Sequence, residues 1–171
     1  ARKLSQKLNN NIFIKREDLQ PVFSFKLRGA YNKISNLKNI NHIVAASAGN
    51  HAQGVALTCQ KLKILSSIVM PQTTPQIKID AVKDYGSKVI LHGDTYDDAY
   101  QYAVKFAKSK KYHFIHPYDD VDVIAGQGTI AMEILDQMRD NPDYVFIPVG
   151  GGGLLAGMAV YLKTINPKIK I

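Results

Sequence analysis

The sequence predicts an α/β protein with open, mostly parallel sheets and helices on both faces. Short apolar, β-branched segments alternate with segments whose apolar residues have helical spacing, and this alternation is typical of βαβ units. Gly86 lies at the predicted end of one helix, and the Thr95–Asp98 pair lies at the predicted start of the following helix. We therefore expect strand and helix to alternate along most of the chain.

Seven segments are predicted as strands and six as helices. The predicted strands are Ile12–Lys15, His42–Ala46, Ile64–Met70, Lys88–Leu91, His113–Ile115, Tyr144–Val149 and Lys168–Ile171. The predicted helices are Lys26–Leu37, Asn50–Leu62, Pro75–Tyr85, Tyr96–Lys108, Val121–Met138 and Leu154–Thr164. Because ligands of open α/β folds bind at the carboxyl ends of the strands, functional residues are expected in the loops that follow them.

Composition narrows the class of protein. The 171 residues are 46% hydrophobic, which supports a packed core and excludes a disordered chain. The net charge of +8 comes from basic residues spread along the chain without a nucleic-acid-binding motif, so no nucleic-acid partner is expected. No apolar stretch approaches the ~20 residues of a membrane span, so no membrane partner is expected.

The cysteine and histidine residues indicate neither a disulfide framework nor a metal site. Cys59 is the single cysteine, and its apolar setting favours a small core residue over a nucleophile. A cytoplasmic location is the simpler prediction for such a chain. The five histidines lack metal-ligand spacing, and apart from His51 they are expected to be ordinary surface or loop residues.

The first candidate site is the helix start Ser24–Gly29, which contains Lys26. Apolar neighbours and the positive end of the helix dipole both disfavour an ammonium group, so they lower its pKa as a Schiff-base lysine requires. The alternative is a surface lysine whose aliphatic stem covers apolar residues.

The second candidate site is the segment Ser47–Gly54, directly after a predicted strand. Small residues and a helix that begins near Asn50 present free backbone N–H groups to an anion such as a carboxylate. The alternative is an ordinary Asn cap with a glycine turn, which leaves His51 and Gln53 unexplained.

The third candidate site consists of four consecutive glycines, Gly150–Gly153, between a predicted strand and a helix. Such a backbone nest binds phosphate at a helix N-terminus. Gly151, Gly153 and Ala156 also satisfy a dinucleotide pattern, so a nicotinamide-dependent dehydrogenase is an alternative. No acidic residue follows from Leu154 to Ile171 to bind a ribose, which disfavours it.

A phosphate nest, a Schiff-base lysine and an anion-binding helix start together fit pyridoxal 5′-phosphate and an amino-acid substrate. At these residues the sequence resembles the fold type II pyridoxal-phosphate enzymes, and among them the biosynthetic threonine dehydratases. The resemblance covers the whole chain and rests on SFKLRGAY, ASAGNHAQGVA, IKIDAVKDYG, VIAGQGTIAMEIL and FIPVGGGGLLAG in family order.

The resemblance implies roles for individual residues. Lys26 matches the lysine that binds the cofactor covalently, Phe25 the aromatic residue beside its ring, and Asn50 the partner of its 3′-hydroxyl. The phosphate loop corresponds to Gly150, Gly151, Gly152, Gly153 and Leu154. The loop that receives the substrate carboxylate corresponds to Ser47, Ala48, Gly49 and His51. Serine racemases of this class have a second serine at the position of Ala48, so racemisation is disfavoured.

The resemblance further implies conversion of L-threonine to 2-oxobutanoate and ammonia, the first step of isoleucine biosynthesis. L-Serine dehydratase, or a catabolic threonine/serine dehydratase, is an alternative within the family. A non-catalytic fragment is another, because the family's serine at the pyridine nitrogen lies beyond Ile171.

The implied organisation is a fold type II enzyme, like the tryptophan synthase β subunit, with an incomplete large subdomain (residues 1–41 and 120–171) and a small subdomain (residues 42–119). The resemblance also implies a homo-oligomer, a tetramer.

Overall fold

The chain forms seven helices and four strands, which alternate from α2 to α6, and the computed structural model describes all 171 residues. The helices are α1 (Arg2–Leu8), α2 (Lys26–Asn36), α3 (Asn50–Leu62), α4 (Gln76–Lys83), α5 (Tyr96–Lys110), α6 (Val121–Gln137) and α7 (Gly153–Ile165). The strands are β1 (His42–Ala46), β2 (Leu65–Met70), β3 (Lys88–Leu91) and β4 (His113–Phe114). A short 3-10 helix, Glu17–Leu19, precedes α2.

The four strands form one parallel sheet in the order β3-β2-β1-β4. Ile43 pairs with Ser66 of β2 on one side and with His113 of β4 on the other. The chain therefore builds β1, β2 and β3 outward in one direction and then places β4 on the opposite side of β1. The order of the strands reverses between β1 and β4.

Helices cover both faces of this sheet, as the sequence predicts. On one face Ile43, Ala45, Ile68 and Met70 pack with residues of α2, α3 and α4. On the other face Val44, Ala46 and Val69 pack against three alanines of α5. A third cluster joins α6, α7 and Ile169. The division into a small subdomain (residues 42–119) and a large one stays a prediction.

The predicted helix boundaries follow local signals that the structure confirms. Thr95 and Asp98 form a reciprocal capping box at the start of α5. Gly86 follows α4 with φ of +80°, a conformation that glycine adopts without steric cost. Asp120 caps α6 by accepting hydrogen bonds from the N–H groups of Asp122 and Val123.

Three predicted strands do not form. The segments predicted as Ile12–Lys15, Tyr144–Val149 and Lys168–Ile171 contain no strand, and one parallel bridge between Tyr144 and Lys170 is all that joins the latter two. A β-strand needs a neighbouring strand to bond its backbone groups, and these segments lack one here. Conversely, α1 was not predicted: it is only 7 residues long and buries no residue.

None of the helices combines the length and apolar character that a membrane crossing requires.

Candidate active site

The reversal of strand order places two loops side by side at one edge of the sheet. The loop Ser47–Gly49 follows β1 and leads into α3, and the segment Ile115–Asp120 follows β4 and leads into α6. Because β1 and β4 are parallel neighbours, their carboxyl ends lie at the same edge. Such a crevice is where open α/β sheets bind ligands.

Lys26 opens α2, and its Nζ atom reaches this edge. Nζ donates a hydrogen bond to the carbonyl oxygen of Pro117 at 2.9 Å, its one hydrogen-bond partner, and lies 5.3 Å from the centroid of the Phe25 ring. No carboxylate is within ion-pairing distance of it. Burial without a counter-charge lowers the pKa of Lys26, because desolvation disfavours the ammonium form. The neutral, nucleophilic amine is therefore a larger fraction of Lys26 than of an exposed lysine at the same pH.

An ion-pair network holds α2, and with it Lys26, in place. Arg28 donates two hydrogen bonds to Glu17, at 2.7 and 2.8 Å, and two to Glu133 on α6, at 2.6 and 2.8 Å. Lys15 reaches the same Glu133 at 2.5 Å. One turn further along α2, Lys33 pairs with Asp120 at 2.9 Å. Bidentate guanidinium–carboxylate pairs fix orientation as well as distance, so the first turn of α2 has a defined direction.

The glycine loop meets the site through Tyr118. Gly151 lies against the Tyr118 ring so closely that an added Cβ would overlap it, and a Cβ on Gly153 would lie 2.7 Å from the Tyr118 carbonyl oxygen. Gly152 has φ of +87°. Helix α7 begins at Gly153 with no side-chain cap, so its first N–H groups are free for an anion.

Phe25 and Leu154 connect the lysine to the helix that follows the glycine loop. Leu154 is buried in the cluster that joins α6 and α7, and Phe25 packs against that cluster. The residues next to Lys26 and next to Gly153 thus share one apolar core. This shared core fixes the start of α2 relative to the start of α7.

The loop after β1 lies on the α3 side of the site. Ser47 Oγ accepts a hydrogen bond from the Gly49 N–H at 3.1 Å, Ala48 is partly buried, and Asn50 is exposed at the first position of α3. One turn along α3, a Cβ on Gly54 would lie 3.0 Å from the Lys26 backbone carbonyl carbon. The helix that carries Asn50 therefore packs closely on the turn that carries Lys26.

His51 is buried and faces the segment after β4. Its Nε2 atom lies 3.2 Å from the Ile115 carbonyl oxygen. Burial, opposed by this hydrogen bond and aided by the charge of Lys26, lowers the pKa of His51 to about 4. The ring is therefore neutral at neutral pH and donates its Nε2 proton to Ile115.

The structure thus brings Lys26, His51 and the glycine loop around one segment, Ile115–Tyr118, with Phe25 beside Lys26. No residue of this segment was predicted from the sequence to belong to the site, and His116 was expected to be an ordinary surface or loop residue. A signal was available, because the segment follows a predicted strand as the other candidate loops do. Ser24 was likewise missed as a single residue: it is buried, and its Oγ atom has no hydrogen-bond partner.

These residues fit a cofactor that carries both an aldehyde and a phosphate. Lys26 offers a half-buried amine of lowered pKa, and the glycine loop offers a side-chain-free helix start with one positive φ. The buried Ser24 hydroxyl, two residues before Lys26, has no hydrogen-bond partner, so it is free to bond a polar group of a ligand. Pyridoxal 5′-phosphate has the matching groups.

Comparison with known proteins agrees with this chemistry. The sequence profile of the family described as "Pyridoxal-phosphate dependent enzyme" matches residues 1–171. The biosynthetic L-threonine dehydratase IlvA of Haemophilus influenzae is 57% identical over 99% of this chain. The structure of the processed form of threonine deaminase isoform 2 from Solanum lycopersicum superposes with a TM-score of 0.97 at 55% identity over 100% of this chain. Maize serine racemase superposes with a TM-score of 0.94 at 32% identity over 99% of it.

The chain spans only part of each of these proteins: 33% of the Haemophilus influenzae dehydratase, 48% of the Solanum lycopersicum structure and 52% of the maize racemase. The family match itself extends over every residue of the chain. It excludes the alternative that the chain is a nicotinamide-dependent dehydrogenase. The chain belongs to the family of pyridoxal-phosphate dependent enzymes.

Proposed function

We propose that this chain is the part of a threonine dehydratase that binds pyridoxal 5′-phosphate through Lys26 and converts L-threonine to 2-oxobutanoate and ammonia. One observation carries the proposal: a half-buried lysine without a counter-charge meets a glycine-rich helix start through the Ile115–Tyr118 segment. The identities of 57% and 55% to a threonine dehydratase and a threonine deaminase support the choice of substrate.

Each group of residues has a role in this proposal. When bound, the cofactor withdraws electrons from the Cα atom of the substrate. Lys26 would bind the cofactor aldehyde, would be released when the amino group of the substrate takes its place, and would then accept the Cα proton as a free amine. Gly150–Gly153 and Leu154 at the start of α7 would bind the cofactor phosphate, while Phe25 would pack beside its ring and Asn50 would bind its 3′-hydroxyl.

The loop after β1 receives the substrate carboxylate in this proposal. Ser47, Ala48 and Gly49 lead into α3, and His51 lies in its first turn. Backbone N–H groups point outward at this helix start and favour an anion. The neutral His51 ring adds no charge there. Its hydrogen bond to Ile115 fixes the loop after β1 to the segment after β4.

A second candidate, serine racemase, is favoured by the structural similarity to the maize enzyme. Ala48 argues against it. Racemisation needs a proton donor on the face opposite Lys26, and a methyl group cannot transfer a proton. L-Serine therefore remains an alternative substrate for dehydration rather than for racemisation.

Pathway, assembly and location are part of the proposal. Isoleucine biosynthesis follows from the biosynthetic relatives, a homotetramer follows from the family resemblance, and a cytoplasmic location is the sequence prediction.

The proposal is tested by trapping the cofactor on the full-length protein that carries these residues. After incubation with pyridoxal 5′-phosphate and borohydride reduction, peptide mapping should place the adduct at Lys26. Lys26→Ala should lack the adduct and lose threonine turnover by more than about a thousandfold. Lys108→Ala, which changes an exposed lysine of α5, is the matched control and should retain both.

Adducts scattered over surface lysines, unchanged by Lys26→Ala, would refute the assignment of the site. A normal adduct at Lys26 with turnover of another amino acid but not of threonine would refute the substrate alone.

A further inference from the structure

The His116 side chain closes the turn between Lys26 and the glycine loop. Its Nδ1 atom accepts hydrogen bonds from the backbone N–H groups of Asp119, at 2.7 Å, and Tyr118, at 3.3 Å. Since both partners are donors, Nδ1 carries no hydrogen and the ring proton lies on Nε2. Burial lowers the pKa of His116, so this neutral form prevails at neutral pH.

The two residues enclosed by this turn each contact a part of the candidate site. The carbonyl oxygen of Pro117 is the one hydrogen-bond acceptor of Lys26 Nζ, at 2.9 Å. The Tyr118 ring and backbone lie against Gly151 and Gly153. A change in the turn would therefore move the lysine's partner and the support of the glycine loop together.

The turn is also anchored at its far end. Asp120, the next residue, caps α6 and pairs with Lys33 of α2 at 2.9 Å. Asn32 of α2 donates to the Asp122 carbonyl oxygen at 2.7 Å. Helix α2, which carries Lys26, is thus bound to the same segment at two places, and His116 sets the conformation between them.

The His116 ring has a packing role that can be separated from its role as an acceptor. It lies edge-on to Tyr118, with ring centroids 4.7 Å apart, and edge-on to Tyr100 at 6.0 Å. A phenylalanine at this position keeps an aromatic ring but has no acceptor. An asparagine loses the ring but keeps an oxygen that can accept from the backbone N–H groups two and three residues ahead.

We propose that His116 is a positioning residue for Lys26: by accepting the Asp119 and Tyr118 N–H groups, it holds the Pro117 carbonyl on the free lysine amine and Tyr118 under the glycine loop. The inference rests on the proposed function, because it assigns His116 a task only if Lys26 binds the cofactor.

The test measures how fast Lys26 reacts with pyridoxal 5′-phosphate in the cofactor-free, full-length protein. Reaction is stopped by borohydride at successive times, and the adduct at Lys26 is quantified by peptide mapping. His116→Phe should react roughly tenfold more slowly, the effect expected for one lost buried hydrogen bond. His116→Asn should react within about twofold of the wild-type rate. Melting temperatures are measured for every variant.

Slow labelling of His116→Phe with normal labelling of His116→Asn, at similar melting temperatures, would support the proposal. Equal rates for all proteins would overturn it, and so would equal slowing of both variants, because the acceptor would then be irrelevant. His116→Leu provides the acceptor-free comparison if the phenylalanine variant does not fold. Unfolding of both acceptor-free variants beside a normal asparagine variant would assign His116 to global stability and overturn the proposal.

Absence of a Lys26 adduct in the wild-type protein is a different result. It would refute the proposed function itself, before any variant is compared.

Discussion

Burial sets the chemistry of single side chains in this protein, and it acts differently on each type. It lowers the pKa of Lys26 and lowers that of His51 to about 4, whereas it raises the pKa of the Cys59 thiol to about 12. Desolvation favours the neutral form in all three cases. Lys26 thereby gains a larger neutral, nucleophilic fraction, whereas the Cys59 thiol becomes inert. The prediction that Cys59 is a core residue is confirmed, since it is 1% exposed.

The lowered pKa of His51 predicts a loss of stability in mild acid. A base whose folded pKa lies below its unfolded value of 6.5 binds more protons when unfolded. The free energy of unfolding should therefore fall as the pH drops from about 6.5 to about 4. His51→Gln should flatten this part of the profile, measured by urea unfolding at successive pH values. A profile as steep as that of the wild type would contradict the assignment, and so would an NMR titration of His51 near pH 6.5.

Alanine substitutions at Gly152 and Gly150 distinguish the effect of backbone conformation from the effect of steric overlap with an added Cβ. Both have open space where a Cβ would lie, but only Gly152 has a positive φ, +87°. Gly152→Ala should therefore lower the free energy of unfolding by about 1 kcal/mol and weaken binding of pyridoxal 5′-phosphate. Gly150→Ala should be close to wild type in denaturant unfolding. Equal effects of the two substitutions would show that φ is not the cause.

At the scale of elements, α2 is positioned by charge as much as by packing. Its apolar residues Ala30 and Ile34 join the core under the sheet, while Arg28 and Lys33 bind it to α6 and to the 3-10 helix. Helix α2 has no side-chain cap at its start. These ion pairs therefore supply the orientation that a cap would otherwise help to define.

The Arg28 network makes the docking of α2 sensitive to acid. Hydrogen bonds from Arg28, and then from Lys15, hold the pKa of Glu133 at about 2, below its ordinary 4.5. A carboxyl with a depressed folded pKa stabilises the protein above its unfolded pKa and loses that contribution as the pH falls towards the folded value. Glu133→Gln should therefore cost about 1 kcal/mol at neutral pH, a value reduced by the partial exposure of this group.

The difference in unfolding free energy between Glu133→Gln and the wild type should shrink between about pH 4.5 and about pH 2. Asp140→Asn, a change of an exposed acid beyond α6, is the control and should leave the free energy of unfolding at neutral pH within about 0.5 kcal/mol of the wild type. A constant difference for Glu133→Gln over this range would contradict the charged pairing.

At the scale of the whole molecule, one exposed apolar surface lies along residues 144–149. Phe146 is 93% exposed, and Tyr144, Val149 and Ile171 nearby are also exposed. The 144–149 segment has a single bridge to Lys170 instead of a strand pairing. Contiguous apolar surface with unpaired backbone groups promotes association.

The 171-residue chain should consequently self-associate with increasing concentration, and Phe146→Ser should reduce this association in sedimentation velocity. Ile77→Ser is the control, because Ile77 is 78% exposed on α4, away from that surface. A monomer at all concentrations, or equal effects of both substitutions, would contradict the prediction.

The sequence by itself determined the fold class, the four strands of the sheet, six of the helices and the three candidate loops. These features depend on apolar periodicity and on glycine and cap residues, which are local properties of the chain. The strand prediction failed at Ile12–Lys15, Tyr144–Val149 and Lys168–Ile171 because pairing requires a neighbour that no local pattern specifies.

Only the tertiary structure decided that Lys26, His51 and the glycine loop meet at the Ile115–Tyr118 segment. Residues about 90 positions apart in the chain, such as Lys26 and Pro117, become neighbours because the sheet reverses its order between β1 and β4. Sequence spacing carries no record of that reversal. The hydrogen-bond partner of Lys26 is a backbone carbonyl group, which every residue type has. Packing alone therefore selected Pro117 for this role.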